Sequence, residues 1–137
     1  MARHTSFASF SVRMAAIAAG VPVHANRIKQ RAALLLDSEL VQATPVDTGR
    51  ARSNWVISLD SPTDRIRNVQ DPQYTPGAEE EGIVHASVPG QDIYVSNNLP
   101  YIGALNNGWS AQAPAGFVED AIQRVKNFIT TQKVLRK

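Results

Sequence analysis

Apolar positions recur at two different periods along this chain, and the switch between them marks out its elements. From about His24 to Ala43, Ile28, Ala32, Leu35, Leu36 and Leu40 fall three and four residues apart, with Arg27, Lys29, Arg31, Asp37 and Glu39 mostly on the other side. That is the period of an amphipathic helix. Pro45 stops it, because the residue before a proline avoids the α region. A second helix is expected from about Gly116 to Gln132, with Phe117, Ala121, Val125, Phe128 and Ile129 on one stripe. Residues 4–19 carry Phe7, Phe10, Met14 and Ile17 at similar spacings, which predicts a short N-terminal helix closed by Gly20 and Pro22.

Between the helices the period changes to two. Trp55, Ile57 and Leu59 alternate with Asn54, Val56 and Ser58, the pattern of a strand with one buried face. Gly82 to Val88 and Asp92 to Ser96 read as a strand pair around a Pro89-Gly90 turn. Asn97-Asn98 is placed to cap a short helix from about Pro100 to Asn106, ended by Gly108. Asp60 to Gly82, with three prolines and the Glu79–Glu81 run, has no clear period and reads as a long excursion of about 20 residues. The expected architecture is α+β: a long N-terminal helix and a C-terminal helix packed on a small, mainly antiparallel sheet of three to four strands. We expect a single domain over residues 1–137, with an arm or helix over 1–22, a core over 23–137, and a long loop at about 60–82.

Composition narrows the chemistry. The chain has no Cys, which excludes disulfides, thiolate zinc sites and thiol catalysis. No apolar run approaches the roughly 20 residues of a membrane span. The net charge of +2 is small, but its distribution is uneven. Residues 1–36 hold Arg3, Arg13, Arg27, Lys29 and Arg31 with no acid, and residues 121–137 hold Arg124, Lys126, Lys133, Arg136 and Lys137 with none. Residues 60–92 are acidic, from Asp60 and Asp64 to Glu81 and Asp92, against only Arg65 and Arg67. Such a chain could steer a polyanion, or identical copies could pair a positive edge with a negative one. Residues 1–21 loosely resemble an organellar transit peptide. No processing boundary follows them, and the pattern runs on into the next helix.

Two signatures stand about fifty residues apart. The first is Thr44-Pro45-Val46-Asp47-Thr48-Gly49-Arg50, followed by Asn54-Trp55. The second starts at Tyr101, passes Leu105-Asn106-Asn107-Gly108 and ends in Gln112-Ala113-Pro114-Ala115-Gly116-Phe117. Both look like backbone-shaping segments. Asp47-Thr48-Gly49 matches the triplet of aspartic proteases, but it sits at a helix exit without the preceding apolar run. Arg50 and Arg52 beside it would also hold a carboxylate ionised and unable to share a proton. His4, His24 and His85 are scattered, and Gly103 to Gly108 lacks the spacing of a phosphate loop. Trp55 and Trp109 suit core or interface anchors. No metal or cofactor site is expected. If the strand has begun by Arg50, then Arg50 and Arg52 share a face that could meet carboxylates of a neighbouring subunit, a DNA lumen, or acids within the chain.

The order and spacing of these pieces, from roughly Ile28 to Ile129, resemble the bacteriophage neck and tail-completion family of head-tail connector subunits. In that family a TPVDTG-R-L-R stretch leads into the first strand. The resemblance implies a small non-catalytic α+β virion subunit that forms a sixfold or twelvefold ring of itself. The ring would join a portal-side connector or adaptor protein to the tail tube, with transient non-specific contact with genomic DNA passing through, and no membrane. The location it implies is the virion neck, after assembly in the host cytoplasm. Two departures stand out: residues 60–82 are longer and more acidic than a minimal member needs, and Asn106 stands where an acid is common. On that reading Thr48-Gly49 and Gly108 fix turns, Pro114-Ala115-Gly116 directs the last helix, Trp55 and Phe117 hold helix to sheet, and Arg50 and Arg52 are interface or lumen cations. A small basic nucleic-acid-binding module is the alternative. A small hydrolase is a third reading, for which the sequence offers no carboxylate partner.

Overall fold

The computed structural model describes residues 10–13, 26–46, 49–109 and 115–135. Strand β1 (Phe10–Arg13) is followed by helix α1 (Asn26–Ala43), a 3-10 turn (Arg52–Asn54), strand β2 (Trp55–Leu59), helix α2 (Ala78–His85) and strand β3 (Ile93–Asn97). A one-turn helix α3 (Ile102–Ala104) runs into a wide turn over Leu105–Trp109, and helix α4 (Phe117–Leu135) closes the order. The strands form one antiparallel sheet in the order β1-β3-β2. Register runs from Trp55 opposite Asn97 to Leu59 opposite Ile93. The molecule is thus α+β. No helix among the described residues is long and apolar enough to cross a membrane.

The core lies between the sheet and the two long helices. Ile28, Ala32, Leu36 and Leu40 of α1 are buried one turn apart, and Ala32, Leu36 and Leu40 join Phe117, Ala121, Val125 and Ile129 of α4 in one cluster over Trp55, Ile57, Ile93 and Val95. Leu35 and Phe128 are only partly buried against this cluster. The hydroxyl of Thr44 bonds back to the Leu40 carbonyl at 2.6 Å, closing α1 just ahead of Pro45.

Several expectations are corrected. Within residues 4–19, Phe10–Arg13 is a strand, because β3 offers an edge whose backbone pairing outweighs the helical spacing; Phe7, Met14 and Ile17 lie outside the described residues. The stretch expected as a strand from Gly82 is mostly helix α2. Its Ala-Glu-Glu-Glu start favours a helix, the acids sit at the positive end of the dipole, and Glu80 Oε1 accepts the Gly77 N–H at 2.8 Å. That outweighs Gly82 and the β-branched Ile83-Val84. The excursion from Asp60 is therefore shorter, and it is fastened to the core as described below. Asn97 and Asn98 do not cap α3, whose first turn has no side-chain cap. Asp37, expected on the polar side of α1, is fully buried.

Candidate functional site

The first signature folds as a clasp for the excursion over residues 61–77, which we call the strap. Trp55 is fully buried, and its indole N–H finds a partner in Thr44 Oγ1 at 2.8 Å. Pro45 is buried and Val46 half-buried. Gly49 has φ of +81°, and a Cβ there would lie 2.2 Å from the Pro72 nitrogen and 2.3 Å from the Asp71 carbonyl carbon. Glycine is therefore needed twice over, for its conformation and for the closeness of the strap. Beyond it, successive side chains grip the strap. Arg52 donates to the carbonyls of Pro72 (3.1 Å) and Gln42 (3.0 Å). The Ser53 hydroxyl donates to the Gly49 carbonyl at 2.6 Å and accepts from the Asp71 N–H at 3.1 Å. Asn54 accepts from the Arg67 N–H at 2.7 Å and donates to the Arg50 carbonyl at 2.8 Å.

Arg50 and Arg52 therefore do not share a strand face. Arg52 opens the 3-10 turn, and β2 begins only at Trp55. Arg50 is half-buried and already engaged within the chain. Asp47, Thr48, Ala113 and Pro114 lie outside the described residues.

Beneath the strap is a buried polar network. Arg67 is 8 % exposed and Glu80 2 %. One guanidinium nitrogen of Arg67 donates to the carbonyls of Ser53 (3.1 Å) and Trp55 (2.9 Å) at the start of β2. The other donates to Glu80 Oε2 at 2.7 Å and reaches Glu79 Oε1 at 3.3 Å. The Tyr74 hydroxyl donates to the same Glu80 oxygen at 2.7 Å, and Arg67 lies 5.4 Å from the Tyr74 ring centre. Arg65 pairs with Glu79 at 2.5 Å on the exposed side. Burial alone would raise the Glu80 carboxyl, but the bonds from Gly77 N–H and Tyr74 O–H and the charge of Arg67 outweigh it and hold Glu80 below its ordinary range. Burial and the bond to Glu80 push the Tyr74 hydroxyl well up. Asp37 stands within electrostatic reach of this network, with no hydrogen-bond partner for either carboxylate oxygen. Burial, then the charge of Glu80, raise it to about 8 against the opposing pull of Arg67.

The second signature holds the other side. Asn97 donates to the Ala51 carbonyl at 3.0 Å, so the two signatures meet there, while its oxygen accepts from the Leu99 N–H at 3.2 Å. Asn98 donates to the strap carbonyls of Thr63 (2.8 Å) and Arg65 (3.1 Å). Asn106 takes over the start of α4. Its carbonyl accepts from Gly116 N–H at 2.7 Å, its Oδ1 from Val118 N–H at 2.9 Å, and its Nδ2 donates to Glu119 Oε1 at 2.9 Å. Gly108 turns the chain with φ of +90°, and a Cβ there would lie 3.3 Å from that of Ala115. Gly116 also has positive φ, ahead of the buried Phe117. Tyr101 is exposed, 39 %.

Arg65, Arg67, Glu79 and Glu80 bind each other and the backbone and so position the strap, while the Asp37 carboxyl stands buried without a hydrogen-bond partner. The described residues contain no group of three or more His, Cys, Asp or Glu that could hold a metal ion. Sequence reasoning missed Arg67, Tyr74, Glu80 and the buried Asp37. The one available signal was Glu80, three residues after Gly77, the spacing of half a capping box. Comparison with protein-family models, with curated proteins and with solved structures finds no match to the chain.

Proposed function

We propose that this chain is a structural subunit of a bacteriophage neck, a head-tail connector or tail-completion protein that assembles into a ring of itself, sixfold or twelvefold. The ring joins a portal-side connector to the tail tube and passes genomic DNA, touching it transiently and without sequence choice. It carries no catalytic step and needs no cofactor, and its place is the virion, after assembly in the host cytoplasm. The observation that supports this reading most is the use made of the two signatures. The residues that carry the resemblance meet at the Ala51–Asn97 hydrogen bond, and they serve to hold the strap and to start α4. A motif used for backbone placement suits a building block, whose function is the shape it presents to its neighbours.

The test is electron microscopy of lysates from a phage lacking the gene, with the gene supplied in trans as control. DNA-filled heads beside separate or over-long tails are expected, and tail length distinguishes joining from terminating. Normal infectious particles would remove the reading. The alternative of a basic nucleic-acid-binding module draws on the exposed Arg27, Arg31, Arg124 and Lys126. It predicts tight duplex binding by the isolated protein that weakens steeply with salt.

A further inference from the structure

Asp37 has no part in the reading above, yet it is fully buried in the middle of α1 with neither carboxylate oxygen hydrogen-bonded. Ala33 and Val41, one turn to either side of it, are fully buried as well. The strap and α2 cover this stripe. The charges that act on Asp37 are Glu80 on α2 and Arg67 on the strap, and the Tyr74 hydroxyl of the strap faces the same pair. Other charged groups nearby are committed elsewhere. Glu79 is drawn outward to Arg65, Arg52 holds the Gln42 and Pro72 carbonyls, Lys29 holds Gln91, and Arg124 of α4 pairs with Glu39. Glu81 and His85 of α2 are exposed, and β2 carries no titratable side chain.

The strap over this carboxyl is fastened almost wholly by polar contacts. The Arg67 N–H bonds to Asn54, the Asp71 N–H to Ser53, the Pro72 carbonyl to Arg52, and the Thr63 and Arg65 carbonyls to Asn98. Of its larger apolar side chains, Tyr74 packs against the core, whereas Ile66 and Val69 face outward, 47 % and 38 % exposed. Water can replace each polar partner at small net cost once the strap lifts, since both members of every pair are then solvated. The stripes of α1 and α4 have no such substitute, because opening them exposes apolar surface. The strap is therefore the segment that opens first, in a step short of full unfolding.

We propose that the strap is a proton-linked latch: closing takes up a solvent proton onto the Asp37 carboxyl, and opening, with α1, α4 and the sheet still packed, releases it. The closed strap keeps water from a carboxyl that has no donor to stabilise its charge. Burial, then the charge of Glu80, raise Asp37 to about 8 against the pull of Arg67. With the strap lifted, water reaches the group and returns it toward its ordinary 3.8. The closed form thus holds a proton that the open form has lost. Opening therefore becomes more frequent as pH rises from about 4 to about 8, by up to about tenfold per pH unit. Glu80 acts in the opposite sense and only in acid, because the closed strap holds it below its ordinary 4.5. The latch is firmest at about pH 4–5, where Glu80 is charged and Asp37 is not. The neck reading is not needed for this device.

The test is amide hydrogen exchange of the full chain, read by NMR at about pH 5, 6 and 7 and corrected for the intrinsic pH dependence of exchange. The Arg67, Asp71 and Tyr74 amides report on the strap, and those of Val125 and Ile129 on α4. Strap amides should exchange through an opening more frequent than that of α4 and insensitive to low urea, since little surface is exposed. Their corrected protection should fall by about tenfold or more between pH 5 and 7. In Asp37→Asn, which has no proton to release, it should stay flat, while the exposed control Asp64→Asn should keep the slope. Carbon NMR of the Asp37 carboxyl in the wild type gives a reading that needs no variant to fold: the group should stay protonated well above the ordinary carboxylate range. Ionisation within that range would overturn the latch. So would a slope that survives Asp37→Asn, wild-type protection unchanged between pH 5 and 7, or strap amides that exchange only with those of α4 and with the same urea dependence.

Discussion

The strap with α2 and the turn with α4 are both held onto the same sheet, but by different physics. The strap is held by charge: Arg67 reaches Glu80 at 2.7 Å and two carbonyls at the start of β2, in a site from which water is excluded. Helix α4 is held by an apolar stripe, Phe117, Ala121, Val125 and Ile129, and its start is tied by the uncharged amide of Asn106. A stripe of apolar contacts degrades gradually, each lost methyl group costing about 1 kcal/mol. A buried ion pair does not. Removing one member leaves the other desolvated and unpaired, which costs more than the pair itself was worth. The strap side should therefore fail abruptly and respond to pH, and the α4 side should do neither.

The largest expected effect follows directly. Arg67→Ala should lower the unfolding free energy by about 3–5 kcal/mol, because Glu80 loses its countercharge and the Ser53 and Trp55 carbonyls lose their donor. Ile129→Val on α4 should cost about 1 kcal/mol. Urea unfolding of both variants measures the contrast. Arg67→Met combined with Glu80→Gln should cost clearly less than the sum of the two single changes, since the second removes the charge that the first exposes. Additive costs would mean that the pair is not coupled and that the strap is held by its backbone bonds alone.

The pH dependence is the next largest, and the two carboxyls pull in opposite directions. Glu80 is held below its ordinary 4.5, so its contribution is present above that value and is lost as the solution becomes more acid. Asp37 is raised from 3.8 to about 8. The folded chain then keeps a proton that the unfolded chain has released, so stability falls as pH rises from about 4 to about 8, by up to about 1.4 kcal/mol per pH unit, and levels off above. Asp37→Asn removes that slope. It should be near neutral at pH 4 and stabilising by a few kcal/mol, on the order of 2–4, at pH 8. Thermal melts across this range are the check, and equal shifts at both pH values would mean that Asp37 is ionised throughout.

The same contrast separates what could be read in the sequence from what could not. The α1 and α4 stripes were legible because burial there follows a local period. Strand β2 was legible as a strand, but its burial does not alternate: Trp55, Val56 and Ile57 are all buried and Leu59 only partly. Gly49 was legible as a turn, but the strict need for glycine comes from Pro72, a segment remote in sequence that touches it. Asp37 looked like a solvated helix position, since nothing local says that α2 and the strap cover that turn. Ile83-Val84 suggested a strand because β-branched residues favour one, while the helix there is set by the acids before them and by Gln30, which binds the carbonyls at its end. Strand β1 needed the open edge of β3. Long-range partners decided most of these misses, and the ion pairs under the strap are of that kind, whereas the start of α2 was set by its own acids and the Gly77–Glu80 bond. The two signatures were legible as backbone-shaping segments, although their meeting at Ala51 and Asn97 was not.

The smallest predicted effect tests the α4 side at Asn106, the residue that ties the start of that helix. Asn106 both accepts from the Val118 N–H and donates to Glu119 Oε1. Asn106→Asp keeps the acceptor and adds a negative charge at the helix start, a gain of about 0.3–1 kcal/mol from the dipole. It also removes the donor and sets a second carboxylate where Glu119 now receives a hydrogen bond, losing about 1 kcal/mol or somewhat more. The net should be a loss of about 1 kcal/mol or less. In a Glu119→Gln background the sign should change. Gln can donate to the new Asp, no like charge remains, and only the dipole gain survives, so Asp should equal or exceed Asn by a few tenths of a kcal/mol, ~0.3. Urea midpoints of the four proteins in this cycle decide it. A loss of the same size in both backgrounds would show that Glu119 is not the reason for Asn106, since the Val118 N–H is served by an oxygen in either case.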